Sequence, residues 1–411
     1  MAPLPKQDDH KHARARHDWV MNPAAFALLS GSFALSLALG TRQGFGLFLA
    51  PLAAEHAVGV GAASFAVALH NLTWGLAQPL AGAWADRKGT AVPMATGAAT
   101  YAAGLILPGL FPSAWAMILG VGLLTGIGTA GLTWGTALAG IGRAFPPHKR
   151  SAALGLASAG GSIGQMLLVP LMAVLILRLG PTATFLLLGA MLLAALPCGL
   201  AIDRAAAPMP ARPGPRGAAI RRAMGDRDFL LLTVGFFTCG FQLAFLTTHL
   251  PGYLTLCGMP GTDAGWALAV VGGFNVIGSY ACGRLGNVIP PQLGLVGIYV
   301  LRGIAILLYW LGPKTELTLL VFAATMGLMW LGTVPLTSGV IARRFGVADL
   351  GALFGITFVS HQVGGFLGAF LGGIGLAWSG NYDAVFLATA AAGLLAALFN
   401  LPIRAVALRP A

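Results

Sequence analysis

The 411-residue chain has little charge: Asp, Glu, Lys and Arg make up only 9% of it. A soluble globular protein carries roughly 25%, so this chain lacks the polar surface that water requires. Acids are scarcer than bases, 12 against 24, giving a formal net charge of +12. Cysteine is nearly absent. Cys198, Cys239, Cys257 and Cys282 show no paired spacing, which argues against a disulfide framework or a zinc site. There is no His-Glu-x-x-His, no catalytic pair of acids, no nucleotide-binding loop and no polar stretch long enough for an appended soluble domain. A membrane enzyme or sensor is left without a sequence signal.

What the chain does have is hydrocarbon. It is 57% hydrophobic with a mean hydropathy of +0.82. Runs at 24–54, 152–177, 182–202 and 229–248 reach or exceed the ~20 residues that cross a bilayer core. Breaks rich in Gly, Pro and charge divide the chain into twelve expected spans near 24–54, 59–85, 91–111, 115–142, 151–178, 182–203, 229–256, 264–288, 293–312, 315–342, 351–378 and 383–404. The fold class expected is therefore an all-α integral membrane protein. The organisation follows: a tail at 1–22, a six-helix bundle at 23–203, a Pro, Gly and Arg-rich linker at 204–228, a second bundle at 229–404 and a short tail at 405–411.

With both ends inside, twenty of the 24 Lys and Arg residues fall in cytoplasmic segments. Arg178 and Lys314 fall outside, and Arg42 and Arg302 lie within spans. This is the positive-inside pattern, and it predicts an inner-membrane protein with cytoplasmic termini. The first span is too long for a signal peptide and reads as an uncleaved anchor. The positive charge then means contact with anionic lipid and not with nucleic acid. His10, His12 and His17 read as part of a solvated basic tail, with metal binding as the alternative.

The two bundles echo each other. "RAF" at Arg143–Phe145 matches "RRF" at Arg343–Phe345, and "LGLASAGGSIG" at 154–164 matches "FGITFVSHQVG" at 354–364, both at an offset of 200. "GFGLFLAP" at 44–51 pairs with "GFQLAFLTTHLP" at 240–251, and "LTWG" at 132–135 with "LTSG" at 336–339. Internal repeats of six spans are how secondary transporters are built, with the substrate near the midplane between them.

Between spans 2 and 3 stands "GAWADRKG", Gly82 to Gly89. It resembles the Gly-x-x-x-Asp-Arg/Lys-x-Gly loop of the major facilitator superfamily. The resemblance implies twelve helices in two pseudo-repeats and an inward gate held by Gly82, Asp86, Arg87 and Gly89. The counterpart "GRLGNV" at 283–288 carries Asn287 and Val288 in place of the acid and the base. "FGLFLAPL" in span 1 resembles the monocarboxylate and oxalate/formate porter branch. That branch uses a span 8 cation for its carboxylate, whereas span 8 here offers Asn275, Ser279 and Tyr280 before Arg284. The Gly-Pro pair and the span 4 Arg of proton-driven drug antiporters are missing, which demotes drug export to the alternative.

Polar side chains in lipid-length helices mark the interior path. Helical spacing groups His70, Asn71, Trp74 and Gln78 on span 2; Thr125, Thr129 and Thr133, then Trp134, on span 4; and Ser158, Ser162 and Gln165 on span 5. Span 7 contributes Gln242 and His249, span 8 Asn275 and Tyr280, span 10 Trp330 and Thr337, and span 11 His361 and Gln362. Together with Arg42 these are the candidate substrate-binding residues. Ser and Thr at such spacing also back-bond to carbonyls. Buried His is often structural, but His70, His249 and His361 are the candidates for proton coupling, because the cavity spans hold no Asp or Glu.

That absence sets a sign. A cation at the bilayer centre costs about 2.5–3.5 kcal/mol or more, and Arg42 has no acid to pair with. An anionic substrate supplies the missing charge, and guanidinium is a planar fork for carboxylate. Arg42 reads as substrate anchor or outer gate, and Arg302 as structural or snorkelling. The function expected is a monomeric secondary transporter of a small organic anion, most simply a monocarboxylate, coupled to protons and needing no cofactor.

Overall fold

The computed structural model describes residues 22–56, 58–206, 216–346 and 350–404, without the side chains of residues 86, 147–152, 216, 217, 261 and 287. The tails and the gate's Asp86 side chain lie outside that description. Among the described residues the chain is helical, with no strand.

Among the described residues eleven helical stretches are long and apolar enough to cross a membrane. One of them, Ala153–Ala205, runs 53 residues. At 1.5 Å per residue that is roughly 80 Å, far more than a ~30 Å hydrocarbon core. It bends at Gly180, whose φ of 77° and ψ of 169° leave helical space, a conformation only glycine adopts freely. Pro181 follows and cannot donate an amide. The long helix is therefore spans 5 and 6, and twelve crossings result. Asn22 caps the first helix by accepting from the Ala24 amide at 3.0 Å, and Asp226 caps the seventh by accepting from Phe229 at 2.9 Å.

Three spans that the sequence pattern treats as unbroken are interrupted. Span 1 is Pro23–Gln43, then a 3-10 turn Phe45–Phe48, then Leu49–His56. Span 4 contains π-helical stretches Ile118–Leu124 and Trp134–Leu138, with Thr133 between helices at φ −116° and ψ −144°. Span 10 is Glu316–Met329 and Thr333–Phe345, separated at residues 330–332. Hydropathy cannot see such breaks, because the residues across them stay apolar. Within the linker segment, Arg216–Met224 is helical, with Ala219 and Ala223 buried.

The two halves touch along three seams. Span 2 (Val60–Lys88) meets span 11 (Leu350–Ser379) where Phe65 packs edge-on against Phe370 at 5.7 Å and Trp74 against Phe358 at 5.1 Å. Span 5 meets span 8 (Gly261–Val288) where Asn275 donates to Ser162 at 2.7 Å. Span 1 meets span 7 (Arg227–Leu256) where Gly46 lies against the Thr247 and Thr248 carbonyls. Apart from Phe358, which lies in the first third of span 11, these residues sit at or beyond the middle of their helices, away from the end bearing Arg87, Lys88, Arg143 and Arg343, here the basic end. Toward that basic end Gly155, Gly351 and Gly355 meet nothing within 4 Å. Among the described residues, the close glycine contacts between the halves, such as Gly46 with Thr247 and Gly373 with Ser64, lie toward the far end.

At the basic end Arg344 binds Asp226 at 2.7 Å and Asp228 at 2.8 Å, tying span 10 to the start of span 7. Burial raises the Asp226 carboxyl, but the hydrogen bonds and charge of Arg344 and the Phe229 amide outweigh it and hold the group below its usual value. A depressed folded-state pKa stabilises fully above the unfolded value, about 4, and that stabilisation is lost as pH falls through the folded value. Thermal unfolding in detergent is expected to be flat in pH down to about 5 and to weaken below about 4. Asp226→Asn is expected to flatten that acid limb, and an unchanged limb would remove Asp226 as its cause.

Candidate functional site

Arg42 stands in the last turn of the helix Pro23–Gln43. A helix C-terminus carries about half a negative charge on its free carbonyls, so the break at Gly44 places the cation where backbone offsets part of it. The guanidinium donates to Asn71 Oδ1 at 2.6 Å and to Gln43 Oε1 at 3.1 Å. Its carbon lies 4.9 Å from the Trp74 ring centroid, a cation–π distance. Its Nε is buried without a partner. The side chain is half-buried, and both of its hydrogen-bond acceptors are neutral amides.

A second shell fixes these groups. Gln43 donates to Gln165 at 2.9 Å, and Gln165 donates to the Leu268 carbonyl of the other half at 3.0 Å. Trp74 donates to Gln78 at 2.8 Å and to Thr133 at 3.2 Å. Thr133 is the residue at which span 4 breaks, so Gln78 and Trp74 hold that break open. Thr125, Thr129 and Thr133 also back-bond to Val121, Thr125 and Thr129, the local bonding that their spacing allowed. Half-buried Trp134 begins the π-helical turn that follows.

His70 is buried beside this cluster, its Nδ1 2.7 Å from the Thr125 hydroxyl. That hydroxyl donates to the Val121 carbonyl, so it accepts from Nδ1–H. His70 Nε2 then carries a lone pair and has no partner. From the other half, Phe358 and Gln362 of span 11 close the seam over Trp74 and Gly75. His361 stacks on Phe358 at 5.8 Å and bonds Gln362 at 2.9 Å. Arg42, His70, Asn71, Trp74, Gln78, Thr133, Gln165, His361 and Gln362 are thus brought together.

The remaining candidates are placed elsewhere. His249 bonds the Ala369 carbonyl at 2.7 Å inside an aromatic cluster with Phe245 and Tyr382. Gln242 donates to the Thr389 carbonyl at 3.0 Å and accepts from Arg302 at 3.3 Å. Asn275 is saturated, donating to Ser162 at 2.7 Å while accepting from the Leu331 amide at 2.9 Å and Ser279 at 3.0 Å. Tyr280 is 66% exposed and accepts from Arg284 at 3.0 Å. Trp330 and Thr337 are buried at and after the span 10 break.

Arg302 does not snorkel. It is 0% exposed, and it donates to the Met329 carbonyl and, at 3.1 Å, to the Trp330 carbonyl. Those carbonyls end the helix Glu316–Met329, so a break again supplies the counter-charge. In the gate loop, Gly82 lies against Gly135, and Arg87 is exposed. Gly89, at φ 82°, meets Asp203, whose carboxylate accepts from the Thr90 and Ala91 amides at 2.8 Å each. Asp203 is a partner the sequence pattern missed; its only signal was an acid at a span end. Among the described residues no cluster of three His, Cys, Asp or Glu could hold a metal.

The sequence profile of the Major Facilitator Superfamily matches residues 31–333. The chain belongs to that superfamily. It is a multi-pass membrane transporter, not an enzyme. Monocarboxylate transporter 13 of Rattus norvegicus is 28% identical over 89% of this chain and 85% of its own length. Monocarboxylate transporter 11 of Mus musculus is 29% identical over 90% of this chain and 83% of its own. An uncharacterised MFS-type transporter, YcxA of Bacillus subtilis, is 26% identical over 81% of this chain and 83% of its own. The fold matches a bacterial homologue of the human lysosomal transporter Spinster, in an inward-facing and occupied conformation. The TM-score is 0.72, at 17% identity, covering 93% of this chain and 97% of that one.

As a superfamily member with a carbonyl-bound arginine in span 9, the protein is expected to depend on that contact for stability. Arg302→Met leaves two buried carbonyls and Gln242 short of a donor. The cost expected is about 1–3 kcal/mol, the range for leaving buried neutral acceptors unsatisfied. It reads as a lowered unfolding midpoint in detergent, and an unchanged midpoint would show the break holding without Arg302.

Proposed function

We propose that this transporter moves a small organic anion, a monocarboxylate in the simplest case, by alternating access with proton coupling. The observation that carries the reading is Arg42, half-buried and held only by neutral amides and an indole face. All twelve acids of the chain lie in tails, loops or span ends, so no protein carboxylate competes for the site. A carboxylate offers charge-assisted bonds about twice as strong as those to neutral amides. The names of the mammalian relatives agree with this substrate class.

The proton is assigned to His70. Its Nε2 is buried beside Arg42 without a partner, whereas the equally unpartnered Nδ1 of His249 lies in an aromatic cluster with Phe245 and Tyr382 and His361 bonds Gln362. With the basic end cytoplasmic, as the Lys and Arg placement argues, the conformation is inward-facing, in an inner membrane with both termini inside.

The test is uptake of radiolabelled lactate, pyruvate, formate and oxalate into proteoliposomes under an imposed pH gradient. Gradient-dependent uptake of at least one is expected, and transport of none would end the anion reading. Arg42→Gln is expected to abolish uptake with the unfolding midpoint retained. His70→Gln is expected to remove the response to the gradient, while His249→Gln keeps it. Should His70→Gln respond like the unmodified protein, the proton is carried elsewhere.

A further inference from the structure

We propose that Asn71 couples occupancy of the Arg42 site to contact between the two halves of the transporter. The inference rests on the anion reading for its ligand, and on packing for the coupling itself.

Asn71 is 1% exposed and has two commitments. Its Oδ1 accepts from Arg42 at 2.6 Å, and its Nδ2 donates to the Val67 carbonyl at 2.9 Å. The same carbonyl edge faces span 11: a methyl built on Gly365 would lie 3.1 Å from both Cγ and Oδ1 of Asn71, so only glycine leaves it room. The amide that neutralises the empty Arg42 is therefore also part of the seam between spans 2 and 11. Along that seam Ser64 fills the space over Gly373, and Gln362 fills the space over Gly75. The register leaves no slack on either side of Asn71.

An anionic oxygen is a better acceptor for guanidinium than a neutral amide, so a bound carboxylate displaces Asn71 Oδ1 from Arg42. The freed amide cannot turn toward Gly365, which is already in contact, and the seam must shift to accommodate it. A ligand moves an equilibrium only by binding the two states differently. Asn71 supplies that difference, because its bond to Arg42 and its fit against Gly365 belong to the far-end-closed state.

The test measures the distance between spin labels at Gly61→Cys and Ser379→Cys, which report the far ends of spans 2 and 11, on a Cys257→Ser background. In ligand-free protein, Gly365→Ala is expected to add a longer-distance population. The double variant Gly365→Ala with Asn71→Ala is expected to return it to the starting distance. Persistence of the long population in the double variant overturns the coupling. With pyruvate, the starting protein is expected to shift to longer distance, and Asn71→Ala to bind pyruvate in a thermal-shift assay without that shift. An equal shift in Asn71→Ala overturns the proposal as well. If no anion binds the starting protein, the anion reading fails alone, and the ligand-free rescue still decides the role of Asn71.

Discussion

A positive charge inside hydrocarbon needs a partner, and this chain places no acid there to supply one. Both intramembrane arginines lie at a helix that stops inside the membrane: Arg302 bonds the carbonyl end of one, and Arg42 sits in the last turn of another with its guanidinium on side-chain amides. The insertion cost of about 2.5–3.5 kcal/mol is partly offset by terminal carbonyls, where a cation gains up to about 2 kcal/mol, and by hydrogen bonds. Irregular backbone at membrane depth is tolerated only where protein or a cavity covers it. Hence the breaks in spans 1, 4 and 10 all face the interior, and the surrounding amides, hydroxyls and indole are arranged about them.

The two halves use such helix ends differently. Arg302 is sealed, with carbonyls, Gln242 and Cys239 as partners, and it keeps a broken helix in one geometry. Arg42 is half-exposed, and its partners Asn71 and Gln43 are side-chain amides that can rotate away. A guanidinium locked to backbone has little to offer a ligand; one held by movable amides can exchange them. The chemistry of the transporter therefore concentrates in the N-terminal half, and the C-terminal half contributes the wall that closes over it through Phe358 and Gln362.

Closure at the far end relies on close approach between helices that carry glycine. Small residues let backbones come together in a membrane, and here the partners across the seam are specific: a carbonyl pair against Gly46, Asn71 against Gly365, Met166 against Gly272. At the basic end, charge ties elements within one half, as in the Arg344 pairs with Asp226 and Asp228.

Much of this was legible in the residues. Hydropathy determined the crossings, because every lipid-facing segment must bury its backbone in a helix. Lys and Arg placement argued the orientation, and the loop at Gly82–Gly89 pointed to the superfamily. The lack of intramembrane acids drew attention to Arg42 as a cation without an acidic partner. Helical spacing rightly grouped His70, Trp74 and Gln78, since residues four apart share a face. What only the tertiary structure decided was which polar residues meet. Gln242 and His249, seven apart, share a helix face and are as polar as the span 2 stripe, yet they bond carbonyls of spans 12 and 11. The interruptions at Gly44, Thr133 and residues 330–332 were also invisible, because a broken helix in a protein interior costs nothing in hydropathy. Asn71 took its place for the same reason: a single amide between Arg42 and Gly365 depends on contacts hundreds of residues apart in sequence, and no periodicity records them.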